Sequence, residues 1–477
     1  MAELQVATAR WLVSTAGLAA VAAATAQLDD GADQLRVATD LTRRSSHPER
    51  RAAALGAAVA RRRARQRWPL AEELLFTRAA LEQASDPALS AHRAARLVAT
   101  LDRSPAATGT IVDLCAGVGG DAIALALAAA GTGASLEAVD DDPARLVLLA
   151  HNAEVAGVTV TPHHADALTF ALPPGAVVHA DPSRRRDGRR VRRLADHLPS
   201  VPALFAAHLR TGAWALALSP SVDLDDPDLP SHLPAHLPGD LAGDHGHHGD
   251  HGDHGDHGDH EDIEVEYVQL GAALVEATVW LGAEDGGHPA QGTGDATHAT
   301  PAQPAAAAAR RRTRATLLQD GEVVGSRLFD PGTRTRLPVG EPGSVLIEPA
   351  PAAVRARLHD DLGREIGAWR VAAHRALLTS DVTPPPSPWY RVRPVAAVLP
   401  AKPKELRRWL RGRQNAAGDP LEVELVLHGV DADPLALWRS LGRPPRGPNG
   451  LRLEFLRRDR DTITVATWTH GILGPEG

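Results

Sequence analysis

A short glycine-rich segment between a predicted strand and a predicted helix contains the residues best suited to bind a ligand. It runs from Asp113 to Asp121 and reads Asp-Leu-Cys-Ala-Gly-Val-Gly-Gly-Asp. Gly117 and Gly119 let the backbone approach a ligand closely, and amides at the start of the next helix can donate hydrogen bonds. The segment therefore predicts a nucleotide-binding loop, and Cys115 is one of its contact residues.

Three carboxylates at the ends of predicted strands indicate which nucleotide the loop takes. Asp113 opens the loop, where its charge suits an ammonium group. Asp140 ends the next strand and is placed to accept both hydroxyls of a ribose, and Asp166 follows the third strand, where it can meet an adenine amino group. Dinucleotide-binding enzymes share such a loop, so another nucleotide remains an alternative. The short loop and the three acids together favour S-adenosylmethionine.

The segment Asp181-Pro182-Ser183-Arg184 follows the fourth predicted strand and supplies the candidate catalytic residues Asp181, Pro182 and Arg184. Enzymes that methylate exocyclic amines usually carry a second proline and an aromatic residue that stacks on a flipped base, and Ser183 and Arg184 stand there instead. Methylation of a pyrimidine carbon needs a cysteine nucleophile, but Cys115 lies inside the cofactor loop. We therefore predict direct transfer to nitrogen or oxygen. Asp181 would orient the acceptor or take its proton, and Arg184 would contact phosphate or base.

The elements that carry these motifs predict an α/β fold. Five short apolar strands alternate with helices between residues 110 and 218, which is typical of a parallel sheet covered on both faces. Residues 264–270 and 274–281 form two further strands, and the short turn between them requires antiparallel pairing. The acids named above therefore lie at the carboxyl edge of a Rossmann-like sheet, where such sheets bind ligands.

The composition predicts four segments along the 477 residues. Residues 1–104 form a helical region, and residues 105–283 form the ligand-binding domain, interrupted at about 231–262 by an insertion whose composition predicts disorder. Residues 284–309 are a linker, and residues 310–477 form an α+β domain. Within this last domain the patterns predict helices over 350–378, 404–413 and 434–441, and strands over 421–427, 451–457 and 462–467.

Charge is distributed unevenly around a net value of −8. Residues 221–309 contain 18 acidic residues and no lysine or arginine, whereas residues 310–477 contain 27 basic and 19 acidic residues. Outside the acidic segment the chain is mildly basic, which permits an anionic partner such as RNA. Only two of the 51 basic residues are lysines, as is typical of GC-rich genomes, so the arginine run at 61–67 also fits a solvated helix face.

Other function classes receive less support from the sequence. The single cysteine excludes an internal disulfide and an all-cysteine metal site, and it fits a reducing compartment, so we expect a cytoplasmic protein. No stretch is apolar for the 18 residues that a membrane span needs, and residues 11–24 are interpreted as helix rather than as a secretory signal. In residues 243–260 His-Gly-Asp recurs, which indicates either a solvated loop or adventitious binding of divalent metal. No ordered metal site and no oligomeric state are predicted.

Motifs spread over nearly the whole chain resemble those of a known family. They are residues 73–78, 81–84, 113–121, 181–185, 275–282, 348–349, 354–356, 358, 429–431 and 433–434. The chain resembles bacterial, largely actinobacterial, class I methyltransferases with a C-terminal THUMP-like domain. The resemblance implies cofactor contacts at the loop glycines and the three strand-end acids. It also implies an RNA acceptor, because THUMP domains present RNA to modifying enzymes.

The sequence departs from that family at three places. Cys115 replaces the first glycine of the loop, Leu427-His428 replaces a more basic pair, and the His-Gly-Asp insertion is peculiar to this chain. Two alternatives to an RNA methyltransferase therefore stay open. The chain could be a non-catalytic protein that binds S-adenosylmethionine and RNA, or a methyltransferase acting on a protein or a small molecule.

Overall fold

The computed structural model divides the chain into two compact units. The first comprises residues 1–271, 275–313 and 318–326, and the second comprises residues 272–274, 314–317 and 327–477. The insertion predicted at 231–262, with its His-Gly-Asp tract, and the linker predicted at 284–309 lie outside the described residues. The structure describes residues 4–101, 109–186, 189–208, 213–222, 226, 228–229, 263–282, 312–329, 336–411, 413, 420–447, 450–458 and 461–469.

Residues 4–101 are helical, as their apolar spacing predicts. The side chains of Ser14, Asp33, Thr77 and Asp86 each accept a backbone N–H at a helix N-terminus, which stabilises these helix starts. The helices bury a core rich in Ala and Leu, which also includes Val118 of the glycine loop. The region therefore packs directly against the predicted ligand-binding loop. Its helices are α1 (Val6–Leu12), α2 (Thr15–Asp29), α3 (Gln34–Arg44), α4 (Pro48–Ala64), α5 (Arg78–Gln83) and α6 (Pro87–Val98).

The sheet of the first unit has a parallel part and an antiparallel part. Its strands are β1 (Thr110–Leu114), β2 (Ser135–Asp140), β3 (Thr161–His164), β4 (Val177–Ala180), β7 (Trp214–Leu218), β8 (Glu264–Leu270) and β9 (Ala273–Leu281). They are ordered β8-β9-β7-β4-β1-β2-β3. The first five of these strands in chain order pair in parallel, whereas β9 runs antiparallel to β7. The predicted α/β sheet with a terminal hairpin is confirmed.

Helices and a small ribbon complete the first unit. The helices are α7 (Gly120–Ala128), α8 (Pro143–Val155) and α9 (Val201–His208), and a 3₁₀ turn covers Leu194–Asp196. The ribbon pairs β5 (Arg185–Arg186) with β6 (Arg189–Arg190) in antiparallel fashion. The third strand begins at Thr161, because α8 first ends in a turn. In this turn Gly157 has a φ of 70°, and the Val158 N–H donates to the Ala153 carbonyl at 3.0 Å.

A hairpin not predicted from the sequence follows, formed by β10 (Arg312–Gln319) and β11 (Glu322–Phe329). The Arg312 N–H donates to the Ile263 carbonyl, and the Gly271 N–H donates to the Leu318 carbonyl, both at 2.9 Å. These bonds attach the hairpin to the β8 side of the sheet. The two units share this hairpin, because residues 318–326 belong to the first unit and residues 314–317 and 327–329 to the second.

The second unit is built on a sheet of seven strands within the described residues, ordered β13-β14-β12-β15-β18-β17-β16. Its strands are β12 (Val345–Pro349), β13 (Trp369–Arg370), β14 (Leu378–Ser380), β15 (Tyr390–Pro400), β16 (Glu422–His428), β17 (Gly450–Arg458) and β18 (Asp461–Trp468). Its helices are α10 (Pro351–Arg355), α11 (His359–Glu365), α12 (Pro403–Leu410) and α13 (Pro434–Ser440). The last three strands and the last two helices match the predicted segments within one to three residues.

The long helix predicted over 350–378 is wrong. Two short helices, α10 and α11, and the strands β13 and β14 occupy that segment. The chain leaves the helical conformation at Arg357 and Gly367, which both have a φ of 65°. Apolar residues at helical spacing supply the buried side of each short element here, so periodicity alone did not reveal the breaks.

Within the described residues no single helix is long and apolar enough to cross a membrane. The pair α1 and α2 passes that test only in combination, with a bend of 73° between the two helices.

Candidate active site

The glycine loop turns sharply between β1 and α7. Cys115, Gly117 and Gly119 all have a positive φ, at 64°, 58° and 93°, so two of the three positions carry the residue that adopts this conformation at no steric cost. Cys115 holds it as a non-glycine residue, which costs on the order of 1–3 kcal/mol. A Cβ added at Gly117 would meet no atom within 4 Å. Open space therefore adjoins the loop at the position predicted to face the cofactor.

Asp140 fixes the loop from the neighbouring strand. Its Oδ2 accepts the Gly117 N–H at 2.8 Å, and its Oδ1 accepts the Asp142 N–H at 2.9 Å. Each carboxylate oxygen can accept a further hydrogen bond. Burial raises the pKa of Asp140, although these backbone bonds and Arg145 oppose the rise. Asp140 is therefore joined to the loop, as the sequence spacing requires.

Asp166 lies beyond the carboxyl end of β3, on the same edge of the sheet. Its side chain is exposed, and its Oδ1 accepts the Leu168 N–H at 2.8 Å. This bond closes a local turn that holds the carboxylate in place. Within the described residues no hydrogen bond or ion pair joins Asp166 to the loop or to the other strand-end acids, so a ligand would have to bridge them.

Asp113 pairs with a histidine that was not predicted. Asp113 and His179 are register partners on the parallel strands β1 and β4, and Asp113 Oδ1 lies 2.7 Å from His179 Nδ1. Both side chains are 1 % exposed. Burial raises the pKa of Asp113, while Asp113 and Asp121 raise that of His179 against the lowering effect of burial. Asp113 Oδ2 has no hydrogen-bond partner in the structure.

A buried arginine from α6 joins two further acids. Arg93 is 1 % exposed, and its guanidinium hydrogen-bonds Asp121 at the start of α7 and Glu276 on β9. It also donates to Ser85 Oγ at 2.9 Å. Burial alone would raise the pKa of Asp121, but Arg93 outweighs it and the pKa falls to about 2. The helical region thus contributes a charged group to the carboxyl edge of the sheet.

Asp181 completes this cluster at the end of β4. Burial raises its pKa to about 7, and the charges of Asp121 and Glu276 act in the same direction, whereas Arg93 and His179 lower it. Its backbone N–H points to the Leu114 carbonyl at 3.4 Å. At neutral pH the group is therefore divided between the acid and the carboxylate, which suits a residue that exchanges a proton with a substrate.

The residues after Asp181 leave the sheet. Pro182 is buried, and Ser183 pairs with Leu198 through two backbone hydrogen bonds of 2.8 and 3.0 Å. The Arg184 carbonyl accepts the Val191 N–H at 2.9 Å, and its side chain is half-buried. Arg184 thus lies at the base of the β5–β6 ribbon, and in the part of the chain that the structure describes it forms no hydrogen bond or ion pair with Asp181.

Four carboxyl groups in this part of the first unit interact with only two basic groups. The acids are Asp113, Asp121, Asp181 and Glu276, and the bases are Arg93 and His179. Buried charges are costly unless they are paired, and the raised pKa of Asp181 expresses this imbalance. A cationic ligand at this edge would therefore be electrostatically favoured.

The thiol of Cys115 is kept neutral. Burial raises its pKa well above the usual value, and Asp140, Asp181 and Asp113 add to the rise. A thiolate is the nucleophilic form of cysteine. This environment agrees with the prediction that the chain forms no covalent cysteine intermediate.

Asn152 on α8 connects the helical region to the loop. Its side-chain amide donates to the carbonyls of Leu75 and Val118, both at 3.0 Å, and its Oδ1 accepts the Leu75 N–H at 2.8 Å. Asn152 is 1 % exposed, so these bonds are shielded from water. A buried amide with all these partners fixes the segment around Leu75 against the loop.

Arg93, His179, Glu276 and Asn152 were missed as site residues. Arg93 shares the apolar face of α6 with Leu89 and Leu97, and a charged residue on such a face was the available signal. His179 interrupts an otherwise apolar buried strand in the same way. The contacts that combine these residues join positions up to 183 residues apart, so the sequence pattern alone does not connect them.

Comparison with known proteins supports the fold on independent grounds. No family model matches the chain. Two curated proteins from strains of Mycobacterium tuberculosis (CDC 1551 / Oshkosh and ATCC 25618 / H37Rv) are each 27 % identical to it over 396 residues, which cover 82 % of this chain and 87 % of the relative. Both are named uncharacterized S-adenosylmethionine-dependent methyltransferases.

A solved structure resembles nearly the whole chain. It is the crystal structure of a candidate methyltransferase from Porphyromonas gingivalis W83, with a TM-score of 0.61 and 16 % sequence identity. The match covers 97 % of both chains, so the two proteins share their fold. The strand order, the glycine loop and these relatives lead to one conclusion: the chain is a methyltransferase with the class I fold.

Proposed function

We propose that this enzyme transfers a methyl group from S-adenosylmethionine to a nitrogen or oxygen atom of an RNA base. The single observation that carries the proposal is the pKa of Asp181. This residue lies at the carboxyl end of β4 within an acid-rich, buried cluster, and burial raises its pKa to about 7. A group with this pKa accepts a proton near neutral pH.

The residues at the carboxyl edge fit the chemistry of S-adenosylmethionine. This methyl donor carries a positively charged sulfonium and an ammonium group, and the acid excess around Asp113 and Asp181 complements both. Asp113 Oδ2 is a buried acceptor with no hydrogen-bond partner among the described residues, and its negative charge would attract the ammonium. Asp140 would accept the ribose hydroxyls, Asp166 would meet the adenine, and Gly117 would leave room for the chain of the ligand. Gly119, where a Cβ would lie 3.0 Å from Leu149 Cγ, would let the loop pack closely on α8 beside the ligand.

The protein's own residues would orient the acceptor and handle its proton. When bound, the cofactor supplies an electrophilic methyl group, and displacement from a sulfonium requires the acceptor to lie in line with it, so positioning supplies much of the rate. Asp181 in its carboxylate form would accept a hydrogen bond or the proton from the acceptor. Pro182 and Arg184 would shape the acceptor side of the site. Cys115, held as a neutral thiol, takes no part in bond formation.

RNA is the proposed acceptor because exposed arginines follow Asp181 along the chain and because each unit carries an exposed basic surface. The ribbon after Asp181 carries exposed side chains at Arg185, Arg189 and Arg190. In the second unit, α12 buries Leu406 and exposes Arg407 and Arg408, so its basic face is open to an anionic partner. We assign residues 310–477 to a THUMP-like role in presenting this RNA, and the whole enzyme to the cytoplasm.

Formation of S-adenosylhomocysteine on total cellular RNA tests the proposal. Asp181→Asn should lower the rate at least about 100-fold, since a positioned proton acceptor contributes on this scale, and should leave the fold intact. Glu154→Gln removes an exposed acid on α8 and serves as the matched control. A wild-type rate for Asp181→Asn would contradict the role of Asp181. Turnover with protein or small-molecule pools but not with RNA would move the acceptor to that class.

A further inference from the structure

A cavity of about 410 Å³ opens on the helical region of the first unit, and arginines dominate its charge. Arg63 and Arg67 line it from α4 and the turn that follows, and Arg78 lines it from α5. Glu82 is the acidic residue among the lining residues. All four of these side chains are exposed, so a ligand can reach them without rearrangement of the core.

The arginine run of α4 divides its side chains among three surroundings. Arg61 points inward and is 6 % exposed. Arg62 and Arg65 form ion pairs with Asp29 at 2.9 and 2.8 Å, and Arg65 also pairs with Glu72. Arg63 and Arg67 instead face the cavity. Arg63 thus differs from Arg62 and Arg65, whose charges are balanced by Asp29 and Glu72 within the helical region.

The cavity is connected to the segment that carries Asp181. Arg185, four residues beyond Asp181, reaches the cavity through Glu82, with 3.7 Å between Nη2 and Oε2. Because four residues span at most about 14 Å, the backbones of Asp181 and Arg185 lie within that distance of each other. A second connection is made by Ser85, which follows α5: its Oγ lies 3.4 Å from Asp121 Oδ2. The cavity and the acid-rich site are therefore close neighbours within the first unit.

The net charge of the cavity is positive after its internal ion pairs are included. Arg78 donates to Glu82 at 3.0 Å, and Arg67 lies 4.0 Å from Asp86. With Arg185 counted, four guanidinium groups face these two carboxylates. Arginine binds phosphate oxygens through two parallel hydrogen bonds, which makes it the preferred residue for recognising nucleic-acid backbones.

We propose that this arginine pocket, formed by Arg63, Arg67 and Arg78 with Arg185 at its edge, binds a phosphodiester of the RNA acceptor close to the nucleotide presented to Asp181. The inference rests on the proposed function for the identity of the ligand. The helical region thereby becomes part of the acceptor site, in addition to packing on the cofactor loop. A bound phosphate would fix the register of the strand and supply affinity without reading its sequence.

Binding of a fluorescein-labelled single-stranded RNA of mixed sequence, measured by anisotropy over a range of salt concentrations, tests the pocket. The double variant Arg63→Ala/Arg67→Ala should bind about tenfold more weakly at moderate salt. The slope of its log affinity against log salt concentration should become shallower by about one to two. Arg43→Ala removes an exposed arginine on α3 and is the matched control. Melting temperature and S-adenosylmethionine affinity should be unchanged in both variants.

Two outcomes separate the pocket from the proposed function. If the double variant loses RNA affinity while neither it nor the wild type methylates RNA, the phosphate site stands and the RNA methyltransferase assignment fails. If the double variant binds RNA with the affinity and salt dependence of Arg43→Ala, the pocket is overturned, whatever the wild type methylates.

Discussion

At the scale of single residues, the account depends on how burial and neighbouring charge set the state of Asp181. Its carboxyl group sits near Asp121, whose charge Arg93 stabilises, and near the Asp113–His179 pair. Arg93 is shared by two acids and cannot fully compensate the third. The pKa of Asp181 consequently rises to about 7, and the residue becomes the proton-exchanging group of the cluster.

The pH dependence of kcat/KM should report this pKa. Below pH 7 Asp181 is mainly protonated and cannot accept a proton, so activity should rise about tenfold between pH 6 and pH 8 and then level off. The profile for kcat/KM reflects the free enzyme, and in the complex the cationic cofactor should move the midpoint of kcat to lower pH. The measurement uses initial rates with cellular RNA in buffers of constant ionic strength.

The variant Asp181→Asn supplies the control for that profile. Its residual activity should lose the rise near pH 7, whereas Glu154→Gln should keep it. A midpoint near pH 7 that survives in Asp181→Asn would assign the titration to another group and contradict this explanation.

The sequence predicted the acids of this site but not the residues that interact with them electrostatically. Asp113, Asp140 and Asp181 were predictable because each lies at or just beyond the carboxyl end of a recognisable strand, and therefore at one edge of the sheet. Arg93 and Glu276 reach the same place from α6 and β9 through tertiary packing. The geometry that raises the pKa of Asp181 depends on them, and a local pattern carries no information about it.

At the scale of elements, α8 is the support of the cofactor loop. Leu148 and Ala144 of this helix pack in the core of the helical region, and Asn152 bonds Leu75 and Val118. The motif around Leu75 was recognised in the sequence from a family resemblance, without a structural reason. The structure supplies one, because this segment is attached to the loop through Asn152.

Asn152→Ala should destabilise the enzyme by about 2–4 kcal/mol, because buried groups of Leu75 and Val118 lose their partners and a small cavity forms. S-adenosylmethionine affinity should fall as well, since the loop loses its support. Urea unfolding and calorimetry measure the two effects.

His151→Ala is the matched control for this change. His151 precedes Asn152 on the same helix and makes an exposed contact of 3.2 Å with the Glu73 carbonyl, so its loss should cost less than about 0.5 kcal/mol. Equal destabilisation by the two variants would remove the special role of Asn152.

Element prediction failed where tertiary context overrides a local pattern. The helix predicted over 350–378 satisfied the helical spacing, yet Arg357 and Gly367 take the left-handed conformation and strands follow. A glycine inside a helical pattern is often tolerated, so Gly367 alone was a weak signal. The strand Glu264–Leu270 was predicted to the residue because apolar residues alternate with polar ones over most of its length and Gly271 follows it.

At the scale of the whole molecule, the order of elements gave the fold class and the parallel sheet, while the limits of the two units required the structure. Residues 312–329 show why: the hairpin pairs beside β8 through backbone bonds, which no composition boundary marks. The similarity to the structure from Porphyromonas gingivalis extends over 97 % of the chain, so the fold assignment holds for both units. The residues proposed for cofactor binding and catalysis, in contrast, all lie in the first unit.

The most direct test of the account is calorimetric binding of S-adenosylmethionine and of S-adenosylhomocysteine, which lacks the sulfonium charge, at pH 6 and pH 8. An acid-rich site whose Asp181 ionises near pH 7 should bind S-adenosylmethionine up to about tenfold more tightly at pH 8 than at pH 6. Binding at pH 6, where Asp181 starts protonated, should release a proton, and S-adenosylhomocysteine should show a much smaller gain in affinity between the two pH values. No detectable heat with S-adenosylmethionine for folded protein, or the same pH dependence for both ligands, would contradict the account.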